Sequence, residues 1–273
     1  MNRYLNEINF ERLKNDFSFL ITAVKKSYGE LDLRLRGHYF NLYYKGNSLA
    51  KVSFKRNYYE ISINKKFTED MFDSDRRFKI AKKTNGYNIF KIAESKQLAA
   101  FFQQKYLKKF SSNIRKVNYG EEIVFEQMLI TDNRDRSDLI IIDRQITETS
   151  LKKKRLDLLA LKKIKDGKYG FLVIEVKLGN NKELRKEVAE QLHGYIDHIK
   201  SESNFNNWKK CYEKVYSQMR ELDLLEGPID LEIINDIKGI VLVGRYAGLA
   251  KENIEKLRQI DPELEIKPLV NLL

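Results

Sequence analysis

Between residues 155 and 179 the chain carries two apolar runs, RLDLLAL and YGFLVIEVKLG, separated by only enough residues for a turn at Asp166-Gly167. Each run reads as a strand, and continuous apolar runs of this kind are what strands covered on both faces look like. The second is therefore expected at the centre of a sheet. Both runs contain charge in the wrong place for a core: Asp157 in the first, Glu175 and Lys177 in the second. Side chains two apart on a strand share a face, so Glu175 and Lys177 point one way while Ile174, Val176 and Leu178 point the other. Asp157 and Glu175 stand about nine residues either side of the turn. An antiparallel hairpin thus brings them near each other across two strands.

A charged group on a buried strand costs free energy unless it is paired or put to use. Alone, Glu-x-Lys reads equally well as a surface ion pair on an edge strand, and an Asp in a strand can cap a turn. Asp157 at hairpin distance inside a second apolar run favours a site. Two carboxylates on adjacent strands form a hard-cation site suited to Mg²⁺ or Mn²⁺, completed by water and a phosphate oxygen. A lysine beside them can orient or deprotonate an attacking water and offset negative charge on a phosphorane. Phosphodiester hydrolysis needs this combination.

The surrounding elements fit an α/β arrangement. EEIVFEQMLI reads as a helix, then DLIIIDRQIT, RLDLLALKKI and YGFLVIEVKLG as three strands. Helices follow over about 181–200 and 205–224, then the strand GIVLVGRY, the helix GLAKENIEKLRQI and the strand LEIKPLV. The order α-β-β-β-α-(α)-β-α-β implies a mixed sheet. In this order, RLDLLAL, the hairpin, FLVIEVKLG and the long helix resemble the PD-(D/E)xK nuclease superfamily, which includes many restriction endonucleases, RecB-like exonucleases and Holliday-junction resolvases. The resemblance spans about residues 120–245. It implies a restriction-endonuclease-like core, a central mixed β-sheet flanked by helices. It further implies that Asp157 and Glu175 bind the metal with the main-chain carbonyl of Val176, and that Lys177 is the catalytic lysine. Leu156 stands where the motif's proline would be. Gln191 and Tyr195, four apart on the following helix and so on one face, resemble the Q-x-x-x-Y motif of RecB-like members, whose residues support the site and touch the nucleic-acid backbone. Many members carry a Glu on the helix before the first core strand, and Glu126 is the best-placed residue for it; Glu122 shares its face.

The first part of the chain differs in character. Residues 1–112 hold 23 Lys and Arg against 11 Asp and Glu, whereas residues 113–273 hold 28 of each, so the net charge of +12 lies wholly in the first segment. That asymmetry divides the chain into a basic α+β domain over 1–112, facing a polyanion, and a second domain over 113–273 that the resemblance implies is the nuclease. Helical spacing runs over 5–27, alternating strands form an antiparallel meander over 31–64, residues 65–92 are mixed and basic with a turn at Asn85-Gly86, and a helix covers about 94–110. Of the chain's 30 Tyr and Phe, 21 lie in residues 1–112. Tyr39, Tyr43, Tyr44, Tyr58 and Tyr59 either build the sheet's own core or stack bases.

Other chemistries lack support. One cysteine, Cys211, excludes an internal disulfide framework and fits a reducing cytoplasm; with three histidines it cannot make a Cys-rich zinc site. His193 and His198 are five apart on one helix, a poor spacing for a metal pair. No phosphate-binding, dinucleotide-binding or nucleophile-elbow motif occurs, and no segment approaches the roughly 20 apolar residues of a membrane span. The sequence therefore leads to a metal-dependent nuclease, and the resemblance implies a DNA endonuclease in a restriction or defence setting. The competing readings are a non-catalytic nucleic-acid-binding protein on the same fold, and an RNA-directed or nucleotide-gated nuclease. A homodimer is the expectation carried by cutting both strands, although no residue argues for it.

Overall fold

Alternation in the first third of the chain becomes a sheet. The structure, a computed structural model, describes residues 1–69, 71, 78–117, 120–147, 155–245 and 248–269. Strands β1 (Leu31–Arg36), β2 (Tyr39–Tyr44), β3 (Asn47–Phe54) and β4 (Tyr59–Asn64) form the expected antiparallel meander over 31–64. The β2–β3 reversal places Lys45 and Gly46 at φ of 44° and 84°, the left-handed pair that a two-residue hairpin requires. The turn expected at Asn85-Gly86 is present, with the Thr84 N–H donating to the Tyr87 carbonyl at 2.9 Å. It joins two further strands, β5 (Ile80–Lys83) and β6 (Tyr87–Ile92), so the sheet has six strands in the order β1-β2-β3-β4-β6-β5. All four residues of β5 are exposed, so this edge strand carries no alternation to read.

Two stretches expected as single helices are each broken, in both cases at a buried phenylalanine. Residues 5–27 form α1 (Glu7–Asp16) and α2 (Ser18–Lys25), with Phe17 between them at φ −120°, ψ 18°. The break delivers the Phe17 ring, fully buried, edge-on to Phe40 and Tyr59 at 5.0 Å each. Burying such a ring is worth about 1.5–3 kcal/mol, and the Phe17 N–H still donates to the Leu13 carbonyl at 3.2 Å across the break. Likewise α3 (Ser95–Phe101) and α4 (Gln104–Val117) part at Phe102. Consecutive residues cannot share one face of a helix, and the break lets Phe101 and Phe102 both bury, 5.2 Å apart.

The rest of the chain follows the expected order. Helix α5 (Glu121–Asp132) precedes β7 (Leu139–Thr147), β8 (Arg155–Lys165) and β9 (Lys168–Leu178). A 3-10 turn over Lys182–Arg185 leads into α6 (Glu187–Lys200), then α7 (Glu202–Glu221), β10 (Glu232–Gly244), α8 (Gly248–Ile260) and β11 (Ile266–Pro268). The five strands lie in the order β11-β10-β9-β8-β7, with β9 central. Strand β9 is antiparallel to β8 and parallel to β10, which makes the sheet mixed. Helices α6 and α7 cover one face. Phe171 of β9 meets Trp208 and Tyr212 of α7 edge-on, and Gly239 of β10 lies under Leu192 and Ile196 of α6.

By internal contacts the chain divides inside α5, between Gln127 and Met128, into one compact unit of Asn2–Gln127 and another of Met128–Leu273 with Met1. Sequence character alone placed the join at residue 112. No helix among the described residues is long and apolar enough to cross a membrane.

Candidate active site

The site is built by the β8–β9 hairpin. Its register pairs Leu158 with Ile174 and Leu159 with Val173; one step further along the ladder sets Asp157 opposite Glu175. The backbone N–H of Val176 donates to Asp157 Oδ2 at 3.0 Å, fixing that carboxylate across the strand pair. Glu175 is fully buried, and Asp157 and Lys177 are nearly so. The Lys177 ammonium lies 3.0 Å from Glu175 Oε2 and 3.6 Å from Asp157 Oδ2.

A third acid completes the group. Glu183 Oε2 is 3.3 Å from the same ammonium. The Asn181 side chain accepts from the Glu183 N–H at 3.0 Å, capping the 3-10 turn that bends the chain back after β9. Sequence reasoning missed Glu183, and the available signal was this Asn-x-Glu cap directly after an apolar strand.

Three carboxylates around one ammonium leave the cluster with an excess of negative charge. Burial, reinforced by the Asp157 carboxylate, pushes Glu175 up to about 8 against the opposing pull of Lys177. Burial alone would lower the Lys177 ammonium, but Glu175, Asp157 and Glu183 outweigh it and hold the lysine above its ordinary range. Neither oxygen of Glu175 receives an aligned hydrogen bond among the described residues. A buried carboxylate with open lone pairs, next to a second carboxylate, suits a hard divalent cation. Asp157 and Glu175 are the residues that would hold it. The described residues contain no group of three His, Cys, Asp or Glu side chains arranged as a ready-made metal set.

The other sequence candidates fall as follows. Tyr195 is buried on α6, and its hydroxyl is pushed up by burial and then by the charges of Glu175 and Asp157, which places it within their field. Gln191, one turn earlier, is half-buried, and its side chain makes no hydrogen bond among the described residues. Glu126 is buried on α5 and belongs to the Asn2–Gln127 unit. His193 pairs with Asp261 at 2.5 Å and His198 with Asn204 at 3.3 Å, so the two rings serve different neighbours. Residues Lys152-Lys153-Lys154, expected as a solvated turn, lie outside the described residues.

In the first unit, Tyr43, Tyr44 and Tyr59 are buried in the fold, so core packing, not base stacking, is their role. Tyr39 and Tyr58 are half-exposed, with the ammonium groups of Lys51 and Lys91 over their rings at 4.1 and 5.3 Å. Compared with known proteins, the chain matches no family model, no curated protein and no solved structure.

Proposed function

We propose that this chain is a divalent-metal-dependent nuclease of the PD-(D/E)xK kind that hydrolyses phosphodiester bonds, with DNA as the favoured substrate. The observation that carries the reading is the buried cluster at the centre of the mixed sheet, in which Asp157, Glu175 and Glu183 surround Lys177. A structural ion pair needs one acid per base; here the acids outnumber the base, and the most buried one receives no aligned hydrogen bond among the described residues. The order of elements from α5 to β10, with the two acids on adjacent central strands, supports the same assignment.

The residues divide the work. Asp157 and Glu175, with the Val176 carbonyl in the arrangement that the resemblance implies, would hold Mg²⁺ or Mn²⁺. When bound, the cation supplies Lewis-acid stabilisation of charge on the phosphate. Lys177, kept protonated by its carboxylate neighbours, is a poor general base. Its role is to orient the attacking water through an N–H donor and to stabilise negative charge that develops on the phosphorus oxygens. Glu183 holds the ammonium from the open side. The Tyr195 hydroxyl stays neutral and is a hydrogen-bond donor beside the carboxylates. The basic first unit contributes affinity for the polyanion.

Incubation of the purified chain with plasmid, linear and single-stranded DNA in Mg²⁺, Mn²⁺ or EDTA, alongside Asp157→Ala, tests the reading. Cutting that needs the metal and Asp157 is the expected result. No cutting of any substrate in either metal, or cutting by Asp157→Ala at the wild-type rate, overturns it.

A further inference from the structure

The Asn2–Gln127 unit contains an open groove of about 1150 Å³ between α2 and α4, floored by residues from the start of β1 and the end of β2. Among the described residues three cations line it: Lys26, Lys108 and Arg115. The only acid in the lining among the described residues is Glu30, which is already ion-paired with Lys45 at 2.9 Å. Lys26 and Lys108 are exposed and make no ion pair among the described residues. Arg115 Nη2 donates to the Tyr44 hydroxyl at 3.0 Å, which ties its guanidinium to the sheet. At the rim, Tyr28 is 90% exposed and held at a φ of 51°, a backbone conformation that a bulky residue rarely adopts.

These features select a class of ligand. The positive charge of Lys26 and Lys108 calls for an anion, and the volume exceeds the roughly 300–1,000 Å³ of sites for a single drug-sized molecule. In a duplex the base faces are already stacked and paired, with none open to an exposed ring, whereas unpaired nucleotides can set phosphates against the cations and a base against the exposed Tyr28 ring. We propose that this groove seats a short run of unpaired, phosphodiester-linked nucleotides, with Lys26, Lys108 and Arg115 on the phosphates and Tyr28 stacking a base. The proposal rests on the nuclease reading for the identity of the polyanion, and it adds the strand state the chain holds.

Fluorescence anisotropy in EDTA, where no cutting is expected, tests it on the full chain. The probes are labelled oligothymidine and oligouridine of about eight nucleotides, a duplex of equal length, and thymidine monophosphate as competitor. Wild type is expected to bind a single strand more tightly than the duplex, with the two oligomers reporting whether the strand is DNA or RNA. Lys26→Glu with Lys108→Glu should weaken that binding by about tenfold or more and reduce the dependence of log affinity on log salt by about 1.4, two single-strand phosphate contacts. Tyr28→Ala should weaken it at unchanged salt slope. If the charge-reversed chain melts below wild type, Lys26→Gln with Lys108→Gln is read instead, with the same slope change expected. Unchanged affinity and slope, or preference for the duplex, overturns the proposal, as does competition by the monophosphate as strong as by the unlabelled oligomer. Asp157→Asn separates the two readings. Groove-dependent strand binding without cutting by wild type removes the nuclease assignment and leaves the groove; metal-dependent cutting with groove variants that bind as wild type does the reverse.

Discussion

The Val176 N–H donates to Asp157 Oδ2 at 3.0 Å, so the residue between Glu175 and Lys177 is bonded to the acid of the neighbouring strand. Asp157 thus has a structural and a chemical duty that substitution can separate. Asp157→Ala leaves a buried N–H without its acceptor and should cost about 1–3 kcal/mol of stability. Asp157→Asn keeps an acceptor oxygen and removes only the charge. Chemical denaturation is expected to place Asp157→Asn close to wild type and Asp157→Ala clearly below it, while both abolish cutting. Equal stability of the two variants would show that the hydrogen bond contributes nothing.

Glu175 carries the opposite expectation. It is fully buried within a cluster already rich in negative charge. Removing one partner of a balanced buried pair leaves an uncompensated charge, but here the loss of Glu175 still leaves Lys177 with Asp157 and Glu183. Glu175→Gln should therefore raise the stability of the chain in EDTA by about 1 kcal/mol while eliminating activity. A melting temperature below wild type in EDTA would count against an excess of negative charge in the cluster.

Metal binding has a readout independent of cleavage. A ligand that binds only the folded state stabilises it by RT ln(1 + [L]/Kd), about 2.7 kcal/mol at a hundredfold excess over Kd. Titrating Mg²⁺ into the wild-type chain should raise its melting temperature, and the rise should vanish in Asp157→Asn and Glu175→Gln. A shift of equal size in all three would place the cation elsewhere.

The hairpin was legible because its chemistry contradicts its surroundings. Asp157, Glu175 and Lys177 are charges inside apolar strands, and period-2 geometry with one turn fixes which of them meet. The same periodicity read the meander and the order of elements from α5 onward. It failed where packing decided against local pattern. Phe17 and Phe102 break helices to bury their rings, and β5 is an edge strand with no buried side chain to mark it. Glu183 escaped because a 3-10 turn, not sheet register, carries it to Lys177. Tyr43 and Tyr59 look like base-stacking candidates in sequence, since alternation gives the period of a strand without saying which face is covered.

Tyr59 gives a pH-dependent test in the first unit. Its hydroxyl donates to Asp16 and accepts from Arg12 Nε at 3.0 Å, and the Arg12 guanidinium lies 4.4 Å from its ring centre. Burial, then the bond to Asp16, pushes the phenol up to about 12. A folded-state value raised above the ordinary phenol's, about 10, contributes stability that is fully present below pH ~10 and lost as pH rises through about 12. Tyr59→Phe is expected to be less stable than wild type at pH 8 because it loses both hydrogen bonds, and the gap should narrow between pH 10 and 12. A gap that stays constant through this window would mean that Tyr59 does not titrate differently on unfolding.

Gly239 controls how closely α6 approaches the sheet. A Cβ at this position would lie 2.6 Å from Ile196 Cδ1 and 2.8 Å from Leu192 Cγ, closer than side chains tolerate. Ile196 follows Tyr195 directly, so any displacement of this turn of α6 moves the Tyr195 hydroxyl relative to Glu175 and Asp157. The Ile196 contact is the free end of a side chain and can yield, whereas Leu192 Cγ sits nearer its backbone and can yield less. Gly239→Ala should then cost about 1–3 kcal/mol, and the cutting rate should fall by more than the loss of folded protein explains. The comparison that isolates the site is Tyr195→Phe, which keeps the packing and removes the donor. If Gly239→Ala lowers the melting temperature while the rate per folded molecule stays at the wild-type value, α6 supports the fold without positioning Tyr195.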